Sequence, residues 1–453
     1  MSLVGALARC ILAVLSFLQR LLPHRKGTIP EAGFILNKLL ESVFGDDNLL
    51  KLEFLTDFYE DFGLFRFDNK IYIFDQKLTQ TVINKLEKGA HDYLENSPLK
   101  DTILGSTNRS PEVRRAIATI FRKSVLEEKG NLIIKDVEKF CDNIADEANA
   151  GQLVNVTDWS LRMAMDVVGH MLLQLDMHAL EGQQKLLLKC LMTILHRCYA
   201  LGEITADSKE FKEANDTFEK LTTKILADAL KIEDRHEEKR LVVKLHEACG
   251  FDLARDNMKL FLMAGSETTA ATIPVLVYLL TTYTDVQEEL REEVDENIDA
   301  LYKDPSLALP KLEAVLKEVL RVYPIAPFIS RQTLEEVNVG DFTFEANTDI
   351  KAFTWGIHRS QRQWSKSKEF IPFRFLDNTS RVSSKMYIPF GAGSRVCIGQ
   401  HLAWLELKIA TAVMLHRFNI SKVPETRTLR FVTDWAHAVV HPDKDLLFRF
   451  EVR

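Results

Sequence analysis

Beyond residue 80, apolar residues recur at the three- and four-residue spacing of an amphipathic helix through most of the chain. The pattern predicts helices over Glu112–Leu126, Ile133–Ala148, Trp159–Leu175, Lys185–Tyr199 and Phe211–Leu230. A long helix follows from about Leu253 to Tyr283, then shorter ones over Leu290–Asp299 and Leu312–Val322. Strand-like patterns are confined to Arg66–Phe74 and to Val337–Phe353, where β-branched and aromatic residues surround Gly340 and Asn347. Trp364 to Lys385 has little periodicity. The expectation is a mainly α protein with small β-sheets. Its 453 residues can form one compact unit, because 46% apolar and 27% charged residues are ordinary for a single folded core.

Several function classes drop out. A net charge of −7 leaves no basic footprint for nucleic acid. The six cysteines form no CxxC pair and no dense framework, so the chain reads as reduced and facing a cytosol-like compartment. His246-Glu247-Ala248-Cys249 lacks the second histidine of a zinc hydrolase motif. Gly391-Ala392-Gly393 opens like a dinucleotide fingerprint, but Val396 occupies the third glycine position. No phosphate-binding loop or GxSxG element is present. With no flavin or nicotinamide site of its own, any redox chemistry here must draw electrons from a partner.

The N-terminus differs from the rest. Leu3 to Leu22 is apolar apart from Arg9, Gln19 and Arg20, and His24-Arg25-Lys26 follows. Residues 1–29 are read first as a membrane anchor with basic cytosolic flanks. A cleaved targeting peptide and an interfacial or buried helix compete with that reading. Arg9 weighs against spanning, since a mid-helix charge costs about 2.5–3.5 kcal/mol on insertion scales.

The chemistry is concentrated in Phe390-Gly391-Ala392-Gly393-Ser394-Arg395-Val396-Cys397-Ile398-Gly399, a glycine-rich loop running into a helical pattern near Gln400. An arginine, backbone N–H groups and a helix N-terminus around one cysteine favour its thiolate. A thiolate so held is a strong, soft ligand for iron. A lone cysteine is ordinarily a small buried hydrophobe, but the fixed Phe, Gly, Arg, Cys and Gly positions argue otherwise. The loop resembles the haem-ligand signature of the cytochrome P-450 family, the haem-thiolate monooxygenases, and matches it at every fixed position. The resemblance implies a single haem domain over residues 30–453, haem b as cofactor and Cys397 as axial iron ligand. Phe390, Gly391, Gly399 and Arg395 would contact the haem.

Three further elements follow in the family's order. Ala264-Gly265-Ser266-Glu267-Thr268-Thr269 lies in the long helix, with Phe261, Ala264, Thr268 and Thr272 on one face. Small residues there would let a flat group approach the backbone, and the Thr268 hydroxyl can bond the carbonyl four residues back. Pro274 suggests a kink further along. The segment is similar to the family's oxygen-activation motif, which implies Glu267 and Thr268 as the proton-delivering pair. Glu318 and Arg321, one helical turn apart, resemble the family's ExxR element, and Arg374 in Phe370–Phe375 matches the second arginine that joins it. The resemblance also implies Arg331 and Arg114 as propionate contacts, and Phe261, Ala264, Ile325, Ala326 and Phe328 as walls of a lipophilic pocket.

The chain departs from the family where Ser110 replaces a common tryptophan and Phe373 a common glutamate. The proline-rich hinge that usually follows the N-terminal segment is reduced to Pro23 and Pro30, and Glu345-Ala346-Asn347 lacks the usual turn proline and glycine. The function implied is insertion of one oxygen atom from O2 into a fatty acid, sterol, terpenoid or xenobiotic. Electrons would come through NADPH–cytochrome P-450 reductase or a ferredoxin-type donor. Lys385, Lys408 and Arg417 are candidates for its docking patch. The implied location is the cytosolic face of the endoplasmic reticulum membrane, or a plastid or mitochondrion after transit-peptide cleavage. A haem-thiolate isomerase or dehydratase acting on hydroperoxides and a non-catalytic haem-binding protein are the alternatives.

Overall fold

A computed structural model describes residues 11–12, 14–15, 27–45, 47–86, 102–104, 110–198, 208–232, 240–376, 386–426, 428–432 and 439–453. Ahead of the predicted helical region, the described residues include the helices α1 (Phe34–Phe44), α2 (Asn48–Phe58) and α3 (Gln76–Lys85). The Asp47 and Asp75 side chains cap the last two by accepting backbone N–H bonds. The sequence pattern hides α2 because Leu49, Leu52 and Leu55 are all buried and the helix lacks one clear apolar face. Between α2 and α3, Arg66–Phe74 resolves into a hairpin of β1 (Leu64–Phe67) and β2 (Lys70–Ile73). Asp68 and Asn69 turn it with φ of 49° and 59°, the conformation a tight two-residue hairpin needs.

The predicted helix Glu112–Leu126 is two, α4 (Ser110–Ile117) and α5 (Lys123–Glu128), separated by a turn. Next come α6 (Gly130–Asn149), the short strand β3 (Val154–Asn155) and α7 (Val156–Val168). The Asn155 side chain caps α7, which ends in a π-helical turn over Gly169–Leu173. α8 (Lys185–Cys198) and α9 (Lys209–Lys231) lead to α10 (Leu241–Thr282), in which a break at Gly250 divides a short leading helix from the predicted long one. Its one non-helical residue is Gly250 (φ 78°, ψ 175°), and the helix runs through Pro274. The break therefore lies at a glycine outside the predicted span, not near the proline. α10 is apolar enough to cross a membrane, but 83% of that window is buried, so it is the core helix.

α11 (Thr284–Lys303) and α12 (Pro310–Val322) pack beside it. The β-rich segment gives β4 (Phe328–Gln332), β5 (Val337–Val339), β6 (Phe342–Phe344) and β7 (Asp349–Phe353), with Gly340 and Asn347 both at positive φ in the turns. β7 and β4 join the N-terminal hairpin in a sheet ordered β1-β2-β7-β4, while β5 and β6 pair with each other in a separate two-stranded sheet. α13 (Thr354–Arg359) follows, then α14 (Gln400–Arg417) and β8 (Phe418–Lys422). β9 (Phe431–Val432) pairs with β10 (His441–Pro442), and β11 (Leu447–Val452) sits between β3 and β8. A large apolar core surrounds α10, and a second, aromatic cluster of α2, β1, β2 and β7 residues packs beneath the four-stranded sheet. Leu12, inside the N-terminal apolar segment, is buried in that second cluster.

Candidate active site

The Phe390–Gly399 loop is held by its own backbone. Gly391 N–H donates to Ile388, Val396 N–H to Gly393 and Cys397 N–H to Phe390, the last at 2.9 Å. Gly391 and Gly393 have φ of 77° and 71°, a region that only glycine enters freely. A side chain on Gly393 would also meet Asn84 Oδ1 at 2.9 Å. These turns deliver Cys397 to the first turn of α14. Its thiol surface is exposed although the residue is set deep in the protein; among the described cysteines, Cys141 and Cys190 are buried and Cys249 is intermediate. Burial pushes the Cys397 thiol up, while the Gly399 N–H and the Arg114 guanidinium pull it back toward thiolate. The cation that acts on the sulfur is thus Arg114, reaching over from α4, where it also donates to the Val396 carbonyl. The sequence had pointed to Arg395, which lies beside Arg114.

On α10, Ala264 is exposed and Thr268 half-buried in an otherwise buried stretch. Thr268 Oγ1 donates to the Ala264 carbonyl at 2.9 Å, and Thr272 Oγ1 to the Thr268 carbonyl at 2.8 Å. Phe261 stacks on Phe121 at 5.6 Å. A Cβ on Gly265 would lie 2.6 Å from Val168 Cγ2, so its smallness serves the close packing of α7 on α10. Ile325 is buried and its carbonyl accepts Val440 N–H, Ala326 is half-buried, and Phe328 stacks on Phe353 at 5.3 Å.

Glu267 is buried, and Nε2 of His441 on β10 lies 2.8 Å from its Oε1. Nothing in the motif named His441, which is 174 residues away and carries no local pattern. The Glu318 cluster is tighter. Arg321 donates to both Glu318 oxygens at 2.8 Å, Arg374 Nε to Oε1 at 3.2 Å and Ile371 N–H to Oε1 at 2.8 Å. Arg321 also donates to the carbonyls of His358, Ser367 and Glu369 and lies over the Trp364 ring. Burial, and then Arg321, push the nearby His358 imidazole down to about 3, so it is neutral and accepts Ile388 N–H. Arg331 is buried and donates to the carbonyls of Ile83 and Ser330. Phe373 packs on the main core in place of a glutamate.

The docking patch read from sequence does not form as expected. Lys408 is buried, donates to the Leu307 carbonyl at 2.6 Å and has its pKa lowered by burial. Arg417 is paired with Glu138 and Asp142. Lys385 lies outside the described residues.

The fit to haem can be judged from the donors. Among the described residues no group of three His, Cys, Asp or Glu side chains could hold a metal ion. Cys397 supplies one exposed soft donor, so an iron bound there must bring its other ligands with it, as a macrocycle does. The small, exposed Ala264 beside Thr268 provides an open patch on the core helix. These features fit the group.

Comparison with known proteins agrees. The sequence pattern of the Cytochrome P450 family matches residues 72–449. The medaka (Oryzias latipes) steroid 17-alpha-hydroxylase/17,20 lyase is 31% identical over 56% of this chain and 51% of its own length. Cytochrome P450 3A12 of the dog (Canis lupus familiaris) is 26% identical over 75% of this chain and 73% of its own. The match thus spans about half of the medaka relative. A crystal structure of a cytochrome P450 (CYP102L1) superposes with a TM-score of 0.80 at 19% identity, covering 95% of this chain and 100% of that one. The chain belongs to the cytochrome P450 family, whose cofactor is haem b.

Proposed function

We propose that this protein is a haem-thiolate monooxygenase that inserts one oxygen atom from O2 into a lipophilic small molecule. Cys397 carries the proposal: burial raises its thiol pKa, the Gly399 N–H and Arg114 oppose that rise, and a cysteine exposed at the end of this loop is placed to bind iron as thiolate. Bound haem supplies the iron at which dioxygen is reduced, with electron density from the thiolate favouring O–O cleavage. The chain's own residues do the rest. Cys397 Sγ holds the iron, with Phe390, Gly391 and Gly399 shaping the loop around it. Arg114, Arg395 and Arg331 supply positive charge on the propionate side. The Thr268 hydroxyl leaves the Ala264 carbonyl and turns its proton toward the reacting face, and Glu267 replaces that proton. The Glu318–Arg321–Arg374 cluster pins the irregular segment that leads into the loop.

Phe261 with Phe121, Ile325 and Ala326 form apolar walls that suit a lipid-like substrate. The steroid hydroxylase relatives make steroids the first class to try. Electrons come from a separate NADPH-dependent reductase or a ferredoxin-type donor. Residues 1–29 are assigned to anchoring on the cytosolic face of the endoplasmic reticulum membrane.

The test is spectroscopic and then catalytic. The reduced, CO-treated holoprotein should give the thiolate-type ferrous–CO band, and Cys397→Ser should lose both band and activity. Progesterone, fatty acids and terpenoids are then screened by Soret shift and by NADPH-driven oxygenation with cytochrome P450 reductase. Turnover with an organic hydroperoxide but none with reductase and O2 would overturn the monooxygenase assignment in favour of an isomerase. CO binding without any electron consumption would leave a haem-binding protein only.

A further inference from the structure

Glu267 precedes Thr268 in α10, so its side chain leaves the helix about 100° around from the threonine. Its side chain meets strand β10. A buried carboxylate gives up hydration and needs a hydrogen-bond donor in return. His441 is at the distance to be that donor, 2.8 Å from Nε2 to Oε1.

The imidazole is not a loose surface ring that happens to reach the acid. Val440 N–H donates to the Ile325 carbonyl at 2.7 Å, and Val440 is fully buried. His441 and Pro442 pair in register with Val432 and Phe431, and the Phe431 ring packs on Tyr323 and Trp355. Asp443 N–H then donates to the Arg430 carbonyl. The backbone on each side of His441 is therefore fixed. The two side chains differ in exposure: 31% for His441 against 7% for Glu267. The ring has one nitrogen on the buried acid and an edge in water.

We propose that His441 supplies protons to Glu267 during oxygen activation, as a positioning residue that acts through the acid. This rests on the monooxygenase reading. Imidazole suits the task because it can release a proton from one nitrogen while taking one at the other near neutral pH. When Glu267 gives its proton toward Thr268, Nε2–H passes one to Oε1, and the ring regains one from water at its exposed edge. No net charge is left behind and no carboxylate has to swing out to solvent. The arrangement also ties proton supply to the substrate pocket, since the same strand holds the Ile325 carbonyl.

The test uses the holoenzyme with cytochrome P450 reductase and NADPH, and compares wild type with His441→Gln and His441→Phe. Glutamine keeps a donor for Glu267 but cannot relay a proton. Haem content and the ferrous–CO band should be unchanged. Hydrogen peroxide released per NADPH, read with no substrate and with progesterone, should rise several-fold in both variants. The solvent deuterium isotope effect on NADPH consumption should grow as well, and coupled product formation, where measured, should fall about tenfold or more. Wild-type peroxide yield and isotope effect in His441→Gln would overturn the proposal, leaving His441 a simple hydrogen-bond partner. Loss of haem in both variants would overturn it in favour of a scaffold role. If the wild-type protein itself consumes no NADPH with reductase, the monooxygenase reading fails, and that outcome is distinct from either of these.

Discussion

Glu318 and Glu267 are buried carboxylates on two helices that pack together, α12 and α10, and their surroundings are opposite. Glu318 is fully buried and receives Arg321 through both oxygens, Arg374 and a backbone N–H. Both cations are permanently charged. Glu267 instead faces an imidazole whose edge is open to water. Fixed charges on every side make Glu318 a structural joint, whereas Glu267 meets a partly exposed imidazole, the contact on which its proposed working role rests. A third acid, Glu406 on α14, shows what happens with neither. Its Oε2 accepts the Thr269 hydroxyl, Oε1 has no hydrogen-bond partner, and burial pushes its pKa up to about 8.

The contrast can be tested in one currency, the stability of the folded holoprotein. Glu318→Ala should do the most damage, because it strands two buried arginines. We expect a loss of about 3–5 kcal/mol by urea unfolding, with failure to retain haem. A stable, haem-replete Glu318→Ala protein would erase the distinction between joint and working acid.

Glu406→Gln should act in the other direction. The folded-state pKa lies above the unfolded value, so the native protein binds the extra proton and wild-type stability falls as pH rises from about 4.5 to about 8. By pH 7 the penalty is roughly 3 kcal/mol. Glutamine removes it, so the stability curve of Glu406→Gln should be flatter over that window in melts from pH 5 to 8.

Gly265→Ala comes next. Its Cβ would clash with Val168, and overpacking of this kind costs about 1–3 kcal/mol. Adding Val168→Ala should restore most of it. Failure of that rescue, with a defect in haem retention, would return Gly265 to the ligand side of the helix.

Glu267→Gln should change stability least, by less than about 1 kcal/mol, since the isostere keeps a hydrogen-bonding partner for His441. Its effect should appear in chemistry instead, as peroxide released in place of product and a fall in coupled turnover of about a hundredfold. A stability loss comparable to that of Glu318→Ala would make both acids structural.

The motifs legible in the sequence are those whose geometry is local. Thr268 reaches Ala264 and Glu318 reaches Arg321 within one helical turn, so spacing alone places the groups together. The positive φ values of Gly391 and Gly393 likewise explain why the loop is written with glycines there. The contacts that the sequence did not reveal share one cause. Arg114 acts on Cys397 and bonds Val396, 282 residues along the chain. Val168 fills the space beside Gly265, and Lys408 sits under the Leu307 carbonyl instead of facing a partner. In each, the deciding neighbour comes from another element, and no periodicity reports which element will pack there.

The long helix shows the same division. Its long apolar stretch was readable, but the short helix ahead of it from Leu241 was not, and Gly250 breaks the helical geometry between the two. By itself the sequence determined a mainly α chain, one cysteine placed to bind iron and an acid beside a threonine. Those are properties of residue type and of spacings shorter than one helical turn. The tertiary structure decided which cation steadies the thiolate, which glycine serves packing and which residue stands between Glu267 and water. Those depend on how distant segments meet, and burial then sets how strongly each charge is felt.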